Sequence, residues 1–397
     1  MKRENCSTEI LLTNARLVLP DRELNQACLT FCDGMITGIY PAEELAFIKY
    51  DEMCHDVEVL DVQGDYITPG LIDLHVHGCD GADVMDADES ALARMATALL
   101  QHGTTAFLAT TMTAPPEQIA AVIAGTVPQS AETCSAELLG FHLEGPCLSP
   151  RYRGAQNLTT TLAAVTPINA KVKLITLAPE LAEAEPYFTL AQNHDLILSA
   201  GHSAASYEQM QQAIERGVRY LTHAFNAMPG IHHRQPGLLT AALLDYRLTI
   251  ELIADGIHIH PAVLELALRL KSPENVVLVS DGTRAVGLPD GYYELGGQIA
   301  QLSNGKMSLA DGTIAGSAKP LLAGVQLLVK SVGRPLFEAV RLATLNPARI
   351  AKVDQRIGSL AVGKEATFLR LDKNLTLKQV WQRGQLRKTI AKPEETV

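Results

Sequence analysis

The sequence predicts an α/β protein: a (β/α)8 TIM barrel carrying a small β-sandwich domain built from both chain termini. Between about residues 70 and 350, apolar β-branched runs alternate with segments of helical period, the pattern of parallel strands crossed by helices. Both ends read instead as short strands separated by turns. Six of the eight central runs finish on His, Glu or Asp, at the strand end where barrel enzymes carry their chemistry.

The first terminal piece, residues 8–68, contains ILLTNARLVL, ACLTFCDGMITGIY and VEVLDVQGDYI; residues 357–390 resume the style with GSLAVGKEATFLRLD and KQVWQRGQLRKT. Neither piece has enough strands for a stable sheet alone, so the two are expected to pair. This gives a sandwich domain of residues 1–68 and 357–397 around a barrel of residues 69–356. The expected barrel strands are 71–77, 104–112, 137–144, 172–178, 195–202, 220–226, 248–255 and 275–281. Among the helices between them, DADESALARMATALLQHG opens on acidic residues and stops at Gly103, and SAASYEQMQQAIERG begins with Ser and stops at Gly217. After the last strand, the alternation of 282–317 and its Asn304-Gly305 turn predict a hairpin over the barrel mouth.

With 397 residues, 47% of them hydrophobic, the chain can bury one large core and a small one. A net charge of −11 without a long Lys/Arg run makes nucleic acid and anionic membrane poor partners. No segment approaches the roughly 18 apolar residues of a membrane helix, and the first residues lack the apolar region of a signal peptide. Seven cysteines without a CxxC pair suit a reduced compartment, so the expected location is the cytoplasm.

In IDLHVHGCDGADVMD, His75 and His77 lie two apart, and in a strand such residues share a face. Taken alone the pair says little, because the chain has 12 histidines and repeats the spacing at His258 and His260 in DGIHIHP. The strand ends LHVH, HLEG, SAGHS, LTHAFN, IADG and VSDG decide the matter together. His75, His77, Glu144, His202, His223 and Asp281 offer imidazoles and carboxylates, the ligand mix of zinc or another first-row divalent ion.

The segments PGLIDLHVHG, GFHLEGP, SAGHS, THAFNAMPGIHHRQPG, ADGIHIHP, LVSDG, GTIAGS and GSLAVGKEATF stand in the order found in N-acetylglucosamine-6-phosphate deacetylases of the amidohydrolase superfamily. The chain resembles that family over nearly its whole length, and is similar also to the N-acetylgalactosamine-6-phosphate deacetylases. The resemblance implies metal-dependent hydrolysis of the N-acetyl group of N-acetylglucosamine 6-phosphate in amino-sugar catabolism. By it, Glu144, His202 and His223 form the principal metal site, and Glu144 bridges to a second ion on His75 and His77. One or two divalent ions per chain are expected, zinc first, with Fe, Mn and Co as alternatives. Asp281 is the implied proton carrier. Asn226, the amide of Ala227 and Arg234 are the implied phosphate contacts, with Arg234 reaching the neighbouring subunit's site in a homodimer, and His258 also contacts substrate. His260 reads as structural, and Cys79 and Cys147 as packing.

One residue departs from the family. Relatives place a His after HLEGP, where this chain has Gln156 in RYRGAQNL, a donor to the acetamide that cannot carry charge. Two other readings make different demands. A ring-opening amidohydrolase such as a dihydroorotase typically bridges its metals with a carboxylated lysine, and no Lys stands at an expected strand end. A metal-free scaffold serving as an interaction module would be expected to have lost ligands or Asp281, and all are present.

Overall fold

A computed structural model of the chain describes residues 8–41, 43–44, 57–127, 134–157, 168–194 and 196–389. Residues 1–7, 45–56 and 390–397 of the terminal pieces, and Asp195 at the head of the fifth expected strand, lie outside the described residues. All eight expected runs contain strands: β1 (Leu71–Val76), β2 (Thr104–Thr111), β3 (Glu137–Glu144), β4 (Val172–Leu177), β5 (Ile197–Ala200), β6 (Val218–Leu221), β7 (Thr249–Ile253) and β8 (Val276–Val279). They form one sheet with neighbours in sequence order. Just past β1 and β8 the ring closes: Val76 bridges to Gly282, and the Asp281 N–H donates to the His75 carbonyl at 2.9 Å. β1, β2, β7 and β8 are buried at every position, which is why those runs read as continuously apolar rather than alternating.

Several strands stop short of their expected ends. β6 ends at Leu221 rather than near 226, because His223 and Phe225 take φ of 29° and 78°, values no strand contains. Likewise His202 (46°) and Asp281 (50°) turn the chain out of the sheet just after β5 and β8. Such left-handed non-glycine residues cost on the order of 1–3 kcal/mol each and cluster where function fixes them.

The helices follow their capping signals. Helix Tyr207–Glu215 opens on a capping box: the Gln209 N–H donates to Ser206 Oγ at 3.2 Å and the Ser206 N–H to Gln209 Oε1 at 2.8 Å. His260 caps helix Pro261–Leu270, its Nδ1 accepting the Ala262 N–H at 3.2 Å, the structural role its position suggests.

The insertion after β8 is larger than the expected hairpin. It is a four-stranded antiparallel sheet, Gly291–Leu295, Gln298–Ser303, Lys306–Ser308 and Ile314–Ser317. Asn304 (φ 51°) and Gly305 (φ 76°) make its tight turn, as the sequence signals. Leu295, Ala300, Leu302, Met307 and Ala315 bury a core of their own against Met112. A single hairpin could not do so, and the added strands supply the missing apolar face.

The chain divides into two compact units, one of residues 73–99 and 106–333, the other of residues 1–72, 100–105 and 334–397. Within the second, an eight-stranded sheet joins the chain ends where Phe368–Leu371 pairs antiparallel with Tyr66–Pro69. Phe31 and Phe368 lie on strands separated by two others, roughly 14 Å apart on a flat sheet. Their ring centroids are 5.5 Å apart, and Trp381 sits 5.4 Å from Phe31, so the sheet folds over on itself as a sandwich does. Asp65 adds ion pairs to Arg370 at 2.6 Å and Lys378 at 2.8 Å, again tying one chain end to the other.

Among the described residues no helix is long and apolar enough to cross a membrane. Cys28, Cys79 and Cys147 are free thiols, whereas Cys32 is disulfide-bonded, where the spacing of the cysteines favours a reduced compartment over a disulfide framework.

Candidate active site

At the C-terminal ends of the barrel strands, four imidazoles and two carboxylates converge. Glu144, the last residue of β3, is central: its Oε1 lies 3.0 Å from His202 Nε2, 3.0 Å from His223 Nε2 and 3.5 Å from His75 Nε2, and its Oε2 lies 3.6 Å from His77 Nε2. The His75 and His77 Nε2 atoms are 3.2 Å apart, as expected for two side chains on one face of a strand. Asp281 Oδ1 stands 3.2 Å from His77 Nε2 and 3.5 Å from His75 Nε2. All six residues are buried.

The donor chemistry of this cluster fits a metal. His75 Nδ1 faces the Glu251 carboxylate at 3.0 Å, His77 Nδ1 the Thr110 carbonyl at 3.2 Å, and His202 Nδ1 the Tyr152 carbonyl at 2.9 Å. Each partner is an acceptor, so the proton sits on Nδ1 and the Nε2 lone pair points inward. With the imidazoles neutral, these lone pairs would converge with two carboxylates on shared points, the arrangement of a ligand set. Metal–ligand bonds of 2.0–2.2 Å in a tetrahedron put ligand atoms about 3.4 Å apart, the spacing these atoms already have. The sets His75/His77/Glu144 and Glu144/His202/His223 can each hold an ion and share Glu144. A third set, His75/His142/Glu251, is different. His142 Nδ1 pairs with the Leu74 carbonyl at 3.2 Å and Nε2 with Thr176 Oγ1 at 2.7 Å, so both nitrogens are satisfied within the protein.

The electrostatics agree. Burial works against a charged imidazole at His75, yet the Glu251 and Glu144 carboxylates outweigh it and raise its pKa to about 10. At Asp281 burial favours the neutral acid, but the hydrogen bond from His77 and the charge on His75 prevail and lower it to about 2. Both shifts reflect carboxylates drawing positive charge onto the imidazoles, charge that a divalent ion would supply in place of their extra protons. The thiols of Cys79 and Cys147 are pushed up, mainly by burial, to about 12 and about 11, which leaves them packing groups at neutral pH.

Beside the cluster opens a cavity of about 460 Å³, within the usual range for a small-ligand site. His77, Glu144, His202, His223 and Asp281 line it, together with Gln156, Asn226, Ala227 and His258. His258 Nδ1 lies 2.7 Å from Asp255 Oδ2, which leaves its Nε2 for a ligand. Gln156 is held at both ends: its Oε1 accepts the Thr113 N–H at 2.8 Å and its Nε2 donates to Glu144 Oε2 at 2.5 Å. The sequence reading aimed that N–H at the substrate; here it lies on the shared carboxylate. Gly316, from the GTIAGS segment of the insertion, also lines the cavity, with φ 67°; a Cβ there would come within 2.9 Å of the Asp281 carbonyl, so the close approach requires glycine.

Arg234 is not among the groups lining this cavity. It stands exposed on the loop after β6, its Nη1 2.7 Å from His233 Nε2. Arg151 and Arg153 do line the cavity and were not singled out by the sequence, where RYRG reads as a charged surface turn. Glu251 was also missed. Its signal was a lone acid inside the apolar run LTIELIA, where the period of two turns it to one face with Thr249 and Ile253.

Residues 66–393 match the family model described as the amidohydrolase family. The chain is 34% identical to an N-acetylgalactosamine-6-phosphate deacetylase of Escherichia coli over 95% of its own length and 98% of the relative's. It is 37% identical to an N-acetylglucosamine-6-phosphate deacetylase of Bacillus subtilis, over 76% of this chain and 80% of that one. Among solved structures, the Pasteurella multocida N-acetylglucosamine-6-phosphate deacetylase superposes with a TM-score of 0.87 at 28% identity, over 96% of this chain and all of the other.

Proposed function

This chain belongs to the amidohydrolase family and, within it, to the N-acetylhexosamine-6-phosphate deacetylases, and from that premise we propose that it hydrolyses N-acetylglucosamine 6-phosphate to glucosamine 6-phosphate and acetate in amino-sugar catabolism. One observation carries the reading: two imidazole–carboxylate sets share Glu144, with Asp281 beside them, at the edge of a cavity of small-ligand size. His75, His77, Glu144, His202 and His223 would hold one or two divalent ions, zinc first. A bound ion lowers the pKa of water from 15.7 to about 7 and polarises the acetamide carbonyl. Asp281, ionised when substrate arrives, takes the proton from the attacking water and delivers it to the departing nitrogen. His258, oriented by Asp255, binds the sugar. Turnover of a panel of N-acyl hexosamines, with and without the 6-phosphate, by metal-free and metal-reconstituted protein tests the assignment. Failure of every metal to support hydrolysis would refute it.

A second reading has a specific observation behind it. The Escherichia coli relative, matched over 95% of this chain, is named for the galactosamine substrate, so the same panel includes N-acetylgalactosamine 6-phosphate. A sugar phosphate fits a cytoplasmic enzyme, where its charge retains it.

The exposed position of Arg234 suits a group that serves the neighbouring subunit of a homodimer. Arg234→Ala should raise KM for the phosphorylated sugar by about tenfold or more and barely change the unphosphorylated one, since a charge-assisted contact is worth roughly 1.5–3 kcal/mol. Mixing Arg234→Ala chains with Asp281→Asn chains should restore one competent site per mixed dimer; absence of complementation would return the arginine to its own subunit.

Gln156 serves the metal side of the site. Gln156→Ala frees Glu144 Oε2 and should lower metal affinity or turnover by roughly tenfold to a hundredfold. Metal titration beside steady-state kinetics separates this from a substrate contact, which would leave metal affinity unchanged.

A further inference from the structure

Glu251 is an acid buried in the barrel interior, 0% exposed, for which the reaction above has no use. Its Oε2 accepts twice, from His75 Nδ1 at 3.0 Å and from the backbone N–H of His223 at 3.0 Å. Those two residues belong to different metal sets, so one oxygen reaches both. Beside Glu251 lies the buried Tyr220 hydroxyl, kept protonated by burial and by the carboxylate's charge, and His75 is that carboxylate's one ion-pair partner among the described residues. The Nδ1 acceptors behind His77 and His202 are instead the neutral carbonyls of Thr110 and Tyr152.

We infer that Glu251 is a positioning residue that makes the His75/His77 metal position usable, an inference that rests on the metal reading above. The carboxylate keeps the proton of His75 on Nδ1, so that Nε2 presents its lone pair, and its charge raises the basicity of that nitrogen as a ligand. The bond to the His223 N–H braces the left-handed turn (φ 29°) that aims the imidazole from the other set. Because His75 is the ligand whose ring the charge faces, while His223 meets it only through its backbone, loss of the charge falls on the second ion more than on the first.

The test is titration of the metal-free protein with cobalt(II), followed by equilibrium dialysis and by the visible d–d bands. Wild type should take up two ions. Glu251→Gln keeps an acceptor and removes the charge; it should bind the tighter ion unchanged and the weaker one with a dissociation constant roughly 10- to 100-fold higher. Glu251→Leu removes both hydrogen bonds and should bind one ion over the same range. The melting temperature of each metal-free variant should stay near that of metal-free wild type, with only part of the cobalt-induced rise lost. Two ions bound at wild-type affinity by both variants would overturn the inference. So would an equal weakening of both ions together with a fall in the metal-free melting temperature, the mark of a brace for the fold only. Wild-type protein that takes one ion, with the variants matching it, defeats this inference and leaves the deacetylase reading standing. Wild-type protein that binds no metal defeats that reading itself.

Discussion

Replacing Asp281 with asparagine should leave the protein folded, metal-loaded and able to bind substrate, while lowering kcat by about a hundredfold or more, the scale of a lost proton carrier. A hundredfold corresponds to about 2.7 kcal/mol of transition-state stabilisation. The variant is a clean probe for structural reasons. The Asp281 backbone is pinned on both sides, its N–H donating to the His75 carbonyl at 2.9 Å and its carbonyl accepting the Ser317 N–H at 2.8 Å. Its φ of 50° lies in the left-handed region, which Asn tolerates better than most residues, so the new side chain inherits the old position. Asn keeps the shape and an acceptor but has no proton site. Elemental analysis, substrate affinity and single-turnover rates measured on one preparation separate the steps; near-normal turnover would assign proton transfer to another group.

Glu144→Ala should have the larger effect. Glu144 is the one carboxylate common to both candidate metal sets, with contacts of 3.0 to 3.6 Å to all four imidazoles. Without it each set is left with two imidazoles, fewer than the three protein ligands of a typical catalytic site. We expect bound metal to fall below one ion per chain and kcat/KM to drop by roughly a thousandfold or more, since metal polarisation is worth several kcal/mol and each 1.36 is tenfold. Added zinc should not restore it. His77→Ala is the informative partner: it spares Glu144, His202 and His223, so it should keep one ion. Retention of full activity by Glu144→Ala would remove the metal cluster from the reaction.

Much of this was legible in the sequence because it depends on local rules. The eight strands appear where apolar runs alternate with helical segments, since each run must be buried on both faces. The pairing of His75 with His77 follows from the period of a strand and the structural role of His260 from the chemistry of helix ends, while the cap of helix Tyr207–Glu215 is Ser206, three residues after the Ser203 that opens the expected segment. The strand-end position of Glu144, His202, His223 and Asp281 needed only the rule that barrels place chemistry at that rim. What only the tertiary structure decided are meetings between residues far apart in the chain. Closing the ring brings His75 against Glu251 across 176 positions, and Gln156 onto Glu144 rather than toward the cavity alone. The left-handed turns at His202, His223 and Asp281, which end their strands early, are imposed by contacts to other strands and to the insertion. Periodicity ranks which side chains face inward. It carries no information on which inward-facing groups share one point, because that is set by how strands distant in sequence close around a common axis.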